Sequence, residues 1–453
     1  MRIIIVGCGK IGRTIAGQLV EEKHDVTVVD VIASKVEQLA NTMDVMGTVG
    51  SGASYSTLMD AGIQDADLLI AVTSSDEVNL LCCLFGKKAG HCRTIARVRN
   101  PLYRSEINYI KEELALSMVI NPEHDAATEI ARVLRLPLAN KIDTFAKGKV
   151  ELLRYVIPED SPLVNKSLMN ISSMTKSEVL ICAVQRGDEV LIPRGDFVLS
   201  AGDTIGIIAK PVAARDFFKR IGHDTHQVKN AMIIGGDRIG YYLAEQLCAM
   251  GIDVKIIEMD EDRCQELSEI LPKATIICGN AFEREILLEE GLENMDSVVT
   301  LLGMDESNMF LSLFAKKCSE KSKIVTKINS SEHDDIIESF NLGSVICPRE
   351  ITANNIVSYV RARQNTVGSN METLYRILDN KVEALEFKIS SASNHTSIPL
   401  MQLSIKEGYL IGCINRNGKI MIANGQTTIE PGDTVIIITT RSGLDDIQDV
   451  FKN

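Results

Sequence analysis

A β-branched run, Arg2 to Val6, leads straight into three glycines, Gly7, Gly9 and Gly12, and then into a helical apolar face of Ile11, Ile15 and Leu19. Few folds accept a strand, a glycine turn and a helix in that order. The run suits a buried parallel strand. Gly7 permits the tight turn out of it, Gly9 leaves the backbone open to a pyrophosphate, and Gly12 lets the helix pack close to the strand. The helix N-terminus turns free N–H groups and a partial positive charge toward a bound phosphate. A second strand, Val26 to Val29, ends in Asp30, 18 residues beyond Gly12. That is about where an acid meets a ribose hydroxyl. A 2′-phosphate would meet the Asp30 carboxylate, so NADP is disfavoured, while NAD, NADH, ATP, ADP and AMP all pass.

At 453 residues the chain has length for about three domains. It is 45% hydrophobic but only 4% aromatic, with no Trp, which suits an α/β protein rich in Val, Ile, Leu and Ala. No apolar run approaches the ~18 residues of a membrane helix. The first strand begins at residue 2, which predicts no cleaved leader. The net charge of −13 argues against nucleic acid as a partner and suits a basic partner surface. Cytoplasmic loops of membrane proteins are such surfaces. The 11 cysteines include no CxxC pair, so they read as buried free thiols in a reducing compartment.

Beyond Asp30 the pattern continues as alternating strands and helices. Val45 to Val49 is a third strand, followed by the polar turn Gly50-Ser51-Gly52. Asp67 to Val72 is a fourth, and Thr73 and Ser74 at its carboxyl end are placed to touch a dinucleotide, while Ser75 or Asp76 caps the helix that follows. Thr94 to Ala96 is a fifth, and Arg97 at its end reads as a phosphate clamp or a surface cation. Leu116 to Ile120 is a sixth. The helix started by Asn121-Pro122-Glu123 carries Ala127, Ile130, Ala131 and Leu134, an apolar face that we expect to meet a neighbouring subunit.

Residues 229 to 360 repeat this series. Ala231 to Ile234 is the strand and Gly235-Gly236-Asp237-Arg238-Ile239-Gly240 the turn. Glu258 stands 23 residues after Gly235, as Asp30 does after Gly7. Asn280 answers Ser51, Asp305 to Asn308 answers Asp76 to Asn79, Lys327 answers Arg97, and Pro348 answers Pro122. The copies part at the chemistry. Asp237 replaces Gly9, where a side chain blocks close approach and a carboxylate repels pyrophosphate. Arg238 beside it is expected to offset part of that charge. The second turn is therefore expected to bind NAD weakly, to take another ligand, or to be vestigial.

A smaller pattern also occurs twice. Val179 to Val184, Arg186-Gly187-Asp188, Val190 to Pro193 and Gly202-Asp203 are matched by Tyr409 to Ile414, Arg416-Asn417-Gly418, Ile420 to Ile422 and Gly432-Asp433. Each reads as a hairpin, a Gly-Asp turn and a last strand. Asp203 and Asp433 are taken as turn residues rather than metal ligands. His223 and His226, in the linker between the halves, are taken as solvated loop. The expected fold class is α/β, with two Rossmann-like doubly wound parallel-sheet domains, each followed by a small α+β C-terminal lobe. The boundaries fall at 1–140, 141–222, 228–365 and 370–453.

Glycine motif, acid, strand-end cation and Gly-Asp lobe, taken twice, resemble the regulator-of-potassium-conductance family in its tandem form. The resemblance covers essentially the whole chain. It implies a cytoplasmic protein, peripheral at the inner face of the cell membrane, that assembles as a homotetramer into a gating ring. The ring would dock under a potassium-translocating integral membrane subunit and would meet the membrane only through that partner. NAD or NADH, and ATP or ADP, are the implied regulatory ligands. Carried over by position, their contacts fall on Gly7, Cys8, Gly9, Lys10, Ile11, Gly12, Asp30, Ser51, Thr73, Ser74 and Arg97. A second set falls on Gly235, Gly236, Asp237, Arg238, Ile239, Glu258, Asn280 and Lys327, where Leu302 and Gly303 replace the hydroxyls of Thr73 and Ser74.

A dehydrogenase would need an acid or base poised beside the nicotinamide. The small lobes offer no cluster of His, Lys or Cys, and none of the seven histidines falls in a repeated landmark. A regulatory switch is the expected role, with no catalytic residue and no metal site. The competing readings are an NAD-dependent oxidoreductase with a degenerate second half, and a regulator of a potassium exporter or cation–proton antiporter.

Overall fold

The computed structural model describes residues 1–103, 106–135, 141–145, 150–222, 228–329, 340, 342–364, 371–377, 381–391, 395–441, 444 and 446–452. The His223–His226 pair lies outside them. The first large lobe contains β1 (Arg2–Val6), α1 (Lys10–Glu21), β2 (Asp25–Asp30), α2 (Ala33–Thr42), β3 (Val45–Val49), α3 (Tyr55–Asp60), β4 (Leu68–Ala71), α4 (Asp76–Phe85), β5 (Arg93–Arg97), α5 (Ile107–Glu113), β6 (Met118–Ile120) and α6 (Pro122–Arg135). The sheet is wholly parallel, in the order β3-β2-β1-β4-β5-β6. Ile3 to Val6 and Leu68 to Ala71 are buried, because helices cover both faces of a parallel sheet. The order reverses between β1 and β4. Val6 pairs with Val29 on one side and Ala71 on the other, which brings the Gly7 turn and Thr73 together at the switch point. α5 was not anticipated, since it is short and buries no residue.

The first small lobe contains β7 (Lys141–Phe145), β8 (Val150–Val156), α7 (Leu168–Thr175), β9 (Val179–Arg186), β10 (Glu189–Leu191), β11 (Thr204–Ala209) and α8 (Pro211–Arg220). Its antiparallel sheet runs β10-β9-β11-β8-β7. The hairpin and last strand are those expected, and β8 joins β11 from the other side.

The second copy repeats both lobes. β12 (Asn230–Ile234), α9 (Arg238–Ala249), β13 (Asp253–Glu258), α10 (Glu261–Ile270), β14 (Thr275–Cys278), α11 (Arg284–Glu289), β15 (Ser297–Thr300), α12 (Asp305–Cys318), β16 (Lys323–Lys327), β17 (Ser344–Ile346) and α13 (Pro348–Gln364) form the large lobe. Its order is β14-β13-β12-β15-β16-β17. β18 (Met371–Ile377), β19 (Val382–Lys388), β20 (Tyr409–Arg416), β21 (Lys419–Ile422) and β22 (Thr434–Thr439) form the small one, in the order β18-β19-β22-β20-β21.

Contacts gather like with like. One unit joins Met1–Ala131 to Lys229–Val357, and the other joins Arg132–Val228 to Ser358–Asn453. In the first unit α9 lies along α6. Gln246 donates to the Thr128 hydroxyl at 3.2 Å, and Asn121 Nδ2 donates to the Tyr242 hydroxyl at 3.2 Å. The related contact on the other copy joins Gln18 of α1 to Asn354 of α13 at 3.3 Å. Ala127, Ile130, Ala131 and Leu134 are all buried within the single chain, which corrects the expectation of a neighbouring subunit. The duplication is the reason, because the second copy supplies a helix where a second chain was expected.

In the second unit Leu152, Cys182 and Ile208 of one small lobe share a core with Ala384, Cys413 and Ile436 of the other. Phe217 and Phe218 of α8 help fill the first small lobe's own core. Asp203 and Asp433 are each 1% exposed and do more than shape a turn. Asp203 accepts Nε–H and Nη2–H of Arg186 at 2.8 and 2.7 Å, and Asp433 takes both from Arg416 at 2.8 Å. Each arginine, read from sequence as turn chemistry, ties the hairpin to the last strand. Among the described residues no helix is long and apolar enough to cross a membrane.

Candidate functional site

β1 delivers the chain into the glycine turn at the switch point. Gly7 has φ of +107°, and its N–H donates to the Val29 carbonyl at 2.8 Å. A β-carbon on Gly7 would lie 2.9 Å from the Thr73 nitrogen. A β-carbon on Gly12 would lie 1.9 Å from the Gly7 carbonyl oxygen, so α1 reaches its close approach only without a side chain there. At Gly9 a β-carbon would meet no protein atom within 4 Å. The protein therefore has room for a side chain at Gly9. What needs that space is whatever lies against the turn. Gly9 caps α1 with backbone alone.

Asp30 is held at the end of β2. Its Oδ2 accepts the Cys8 N–H at 2.7 Å and its Oδ1 the Ile32 N–H at 3.0 Å. Burial, followed by the Asp30 charge, pushes the Cys8 thiol up to about 12. Ser51 is exposed, and its side chain accepts the Ala53 N–H at 3.3 Å. Ser75 caps α4 through the Val78 N–H at 3.2 Å.

Beneath this rim runs a clamp that sequence reasoning missed. Asn79 is buried, and its Oδ1 accepts the Thr73 N–H at 2.8 Å and the Thr73 hydroxyl at 2.7 Å. Its Nδ2 donates to the Arg97 carbonyl at 2.9 Å. Asp76 fixes the next segment, accepting the N–H groups of Arg99 and Asn100 at 2.9 and 2.8 Å. Asn308 repeats the clamp on Leu302 and on the Lys327 carbonyl, and Asp305 holds the Asn329 N–H at 2.8 Å. The signal lies in the paired Asp-Glu-x-Asn segments, Asp76 to Asn79 and Asp305 to Asn308, which mark the clamp as well as the duplication.

Arg97 donates through Nη2 to the Thr73 carbonyl, while its Nε–H is buried with no hydrogen-bond partner. Burial, with the like charges of Arg99 and Arg238, lowers its pKa to about 10. A guanidinium pressed in this way is a cation that gains from an arriving anion.

The second turn has the same backbone and a different filling. Gly235 has φ of +109°, and Gly236 N–H donates to Glu258 at 2.7 Å. Glu258 also takes the Met259 and Asp260 N–H groups at 2.8 and 3.0 Å. Asp237 turns back on its own helix, where Oδ1 accepts the N–H groups of Ile239 and Gly240 at 2.9 and 3.1 Å. Lys327 Nζ lies 3.4 Å from Asp237 Oδ2 and donates to the Leu301 carbonyl at 2.8 Å. The cation that offsets Asp237 is thus the buried Lys327, not Arg238. Arg238 opens α9 from the surface and bears on Arg97 instead. Asn280 is spent on its own turn, accepting the Phe282 N–H at 3.1 Å. Leu302 and Gly303 occupy the places of Thr73 and Ser74, and Leu302 N–H still meets Asn308 at 2.8 Å.

Both turns open on one cleft of about 600 Å³ inside the first unit. Gly7, Gly9, Lys10, Ile11, Asp30, Ser51, Thr73, Ser74 and Arg97 line it from one copy, and Asp237, Ile239, Lys327, Asn329 and Arg349 from the other. Cys8, Gly12, Gly235, Gly236, Arg238, Glu258 and Asn280 are outside that lining. Lys10, Lys35, Arg97, Lys327 and Arg349 outweigh Asp30, Glu123 and Asp237 there, so a chain of net charge −13 holds a cationic cleft. The open face of Gly9, the unpaired Nε of Arg97 and this surplus fit the phosphates of a dinucleotide, and Asp30 fits its ribose.

Comparison with known proteins agrees with the duplication. The TrkA-N domain family matches residues 3–122 and again 231–348, and the TrkA-C domain family matches 152–222 and 385–452. A Trk system potassium uptake protein TrkA homolog of Methanosarcina mazei is 31% identical over the whole of both chains. The Trk system potassium uptake protein TrkA of Halomonas elongata is 30% identical over all of this chain and 99% of its own. Among solved structures, the GsuK RCK domain aligns with TM-score 0.64 at 18% identity, covering 96% of this chain and 92% of that one. The GsuK channel bound to NAD aligns with TM-score 0.65 at 17% identity, covering 97% and 76%. At that identity the likeness is one of fold.

Proposed function

The chain belongs to the TrkA family of Trk-system potassium uptake proteins, and from that membership we propose that it is a nucleotide-binding regulatory subunit that gates a potassium-translocating membrane protein. The observation that carries this reading is the cleft at the β1/β4 switch point. It offers an uncapped helix N-terminus behind Gly9, a cationic surplus, and Asp30 oriented by the Cys8 N–H. NAD or NADH, and ATP or ADP, are the ligands it suits. A solved neighbour bound to NAD and another bound to ADP support that class. The contacts fall on Gly7 to Gly12, Asp30, Ser51, Thr73, Ser74 and Arg97.

The second turn supplies its own anion. Asp237 takes the helix N–H groups that a phosphate would take, and Lys327 pairs with it. We therefore assign one nucleotide to each chain, in the first copy, with Gly235 to Ile239, Glu258 and Asn280 as a self-filled half. The protein works at the cytoplasmic face of the membrane as a homotetramer, and it meets the membrane through its partner.

A switch needs a ligand that favours one of two states, and hydride transfer is not part of that task. Titration of the purified chain with NADH tests the reading. One site per chain is expected, with Asp30→Ala weakening binding by about 10-fold or more through loss of a charged hydrogen bond. Steady NADH consumption with a small hydroxy acid would sink the proposal in favour of an oxidoreductase.

A further inference from the structure

We propose that Cys264 and Cys278 form a reversible disulfide, a thiol-modification site on the rim of the second glycine turn. Cys278 is the last residue of β14 and the register partner of Glu258, at the end of β13. Cys264 stands in the first turn of α10, and its thiol donates to the Glu258 carbonyl at 3.3 Å. The two sulfurs thus flank one residue, Glu258, from the neighbouring strand and from the first turn of α10. Of the eleven cysteines Cys278 is the exposed one, while Cys264 is buried behind it. Among the described residues no third His, Cys, Asp or Glu completes a metal site here. A bond between the two sulfurs is the chemistry the pair supports.

The order of events follows from exposure. The thiolate is the attacking species, so access and ionisation decide which cysteine begins. Burial, and then the neighbouring Cys278, hold the Cys264 thiol up to about 12, so Cys264 does not begin. Cys278 loses its proton to solvent and attacks one sulfur of a small-molecule disulfide. A mixed disulfide forms, and one molecule of small thiol leaves. Cys264 then loses its proton and attacks the Cys278 sulfur. The Cys264–Cys278 bond forms, and the second small thiol leaves. Two protein thiols have been oxidised and one small disulfide reduced to two thiols, with no other reactant. The new bond would fasten α10 to the strand end. α10 also carries Arg263, whose Nε–H donates to the Gly236 carbonyl at 2.7 Å, so the glycine turn would be held from behind.

The test uses the reduced full-length chain, oxidised glutathione, alkylation of the remaining thiols in the folded state, and tryptic mass mapping without reductant. Residues 264–273 and 274–284 are separate tryptic peptides, each with one of these cysteines. They are expected joined, two hydrogens lighter than their sum, and separable by dithiothreitol. In Cys264→Ser, Cys278 should keep the glutathione adduct. In Cys278→Ser, Cys264 should gain less than one tenth as much. Glutathione retained on Cys278 of the unmodified sequence without a cross-link would overturn the proposal. So would both thiols surviving in a chain whose other cysteines react. None of these readouts depends on nucleotide binding, so they stand or fall apart from the regulatory reading.

Discussion

At Gly9 a β-carbon meets nothing within 4 Å, whereas at Gly12 it would sit 1.9 Å from a carbonyl oxygen. Two glycines of one motif are therefore kept for different reasons, and mutation separates them. Gly9→Asp should leave thermal stability nearly unchanged, because the backbone there is extended and the space is open. It should weaken NADH binding by ~30–100-fold, about 2–3 kcal/mol, by placing a carboxylate on the helix N–H groups as Asp237 already does. Gly12→Ala should do the reverse of that separation. It forces α1 off the strand at about 1–3 kcal/mol or more, and the melting temperature should fall before any ligand is added. Asp237→Gly is the complementary change. It frees the Ile239 and Gly240 N–H groups, and isothermal titration should then find close to two nucleotides per chain. If Asp237→Gly folds normally and still binds one, Asp237 is not what closes the second turn.

Elements show how far the sequence could be read. The large lobes were legible because each strand is a short apolar run closed by a Gly, Asp, Thr or Pro signal, and because every landmark came twice. Asp30, Gly7, Gly9, Thr73 and Arg97 were legible as positions at strand ends, and they line one cleft, although Asp237 and Leu302 break the repeat at two of them. Asn79 was not, since a buried amide that ties Thr73 to Arg97 declares itself only when β4 and β5 lie side by side. The small lobes hid their main tie in the same way. Arg186 and Asp203 are 17 residues apart and meet only across the β9–β11 pairing. That tie carries a pH signature. Burial raises the Asp203 pKa, but Arg186 and the Ser200 N–H outweigh it, leaving the carboxyl below its ordinary 3.8. A carboxyl depressed in the folded state lends stability that is full above the unfolded value and lost as pH falls through the folded one. The unit of small lobes should therefore lose stability below about pH 4, beyond the loss seen in Asp203→Asn. At neutral pH Asp203→Ala should cost about 2–3 kcal/mol in urea unfolding, since the Ser200 N–H and the charged pair both lose their partner.

On the scale of the whole molecule, the cleft matters because two copies of one lobe share it. A ligand contacting residues from both stabilises whichever arrangement of the lobes brings them together, and the molecule can report occupancy only through such a difference. The lobes are joined beside the cleft by Tyr242, which donates to the Arg99 carbonyl at 3.2 Å and accepts from Asn121 at 3.2 Å. Arg99 in turn donates to the Ser74 carbonyl at 2.9 Å, so the joint runs into the β4 rim. Linkage makes the consequence measurable. If NADH changes affinity for the membrane partner by some factor, the partner must change affinity for NADH by the same factor, expected at about 5–150-fold. Both can be measured with the potassium-translocating protein reconstituted in lipid discs. Tyr242→Phe keeps the ring and removes the hydroxyl that bonds the Arg99 carbonyl and Asn121. It should pull the two factors together toward one while leaving the isolated chain's NADH affinity within about threefold, because Tyr242 does not line the cleft. Equal factors unmoved by Tyr242→Phe would place the coupling elsewhere in the chain. A factor of one in the unaltered protein would mean that it binds nucleotide without passing the event on.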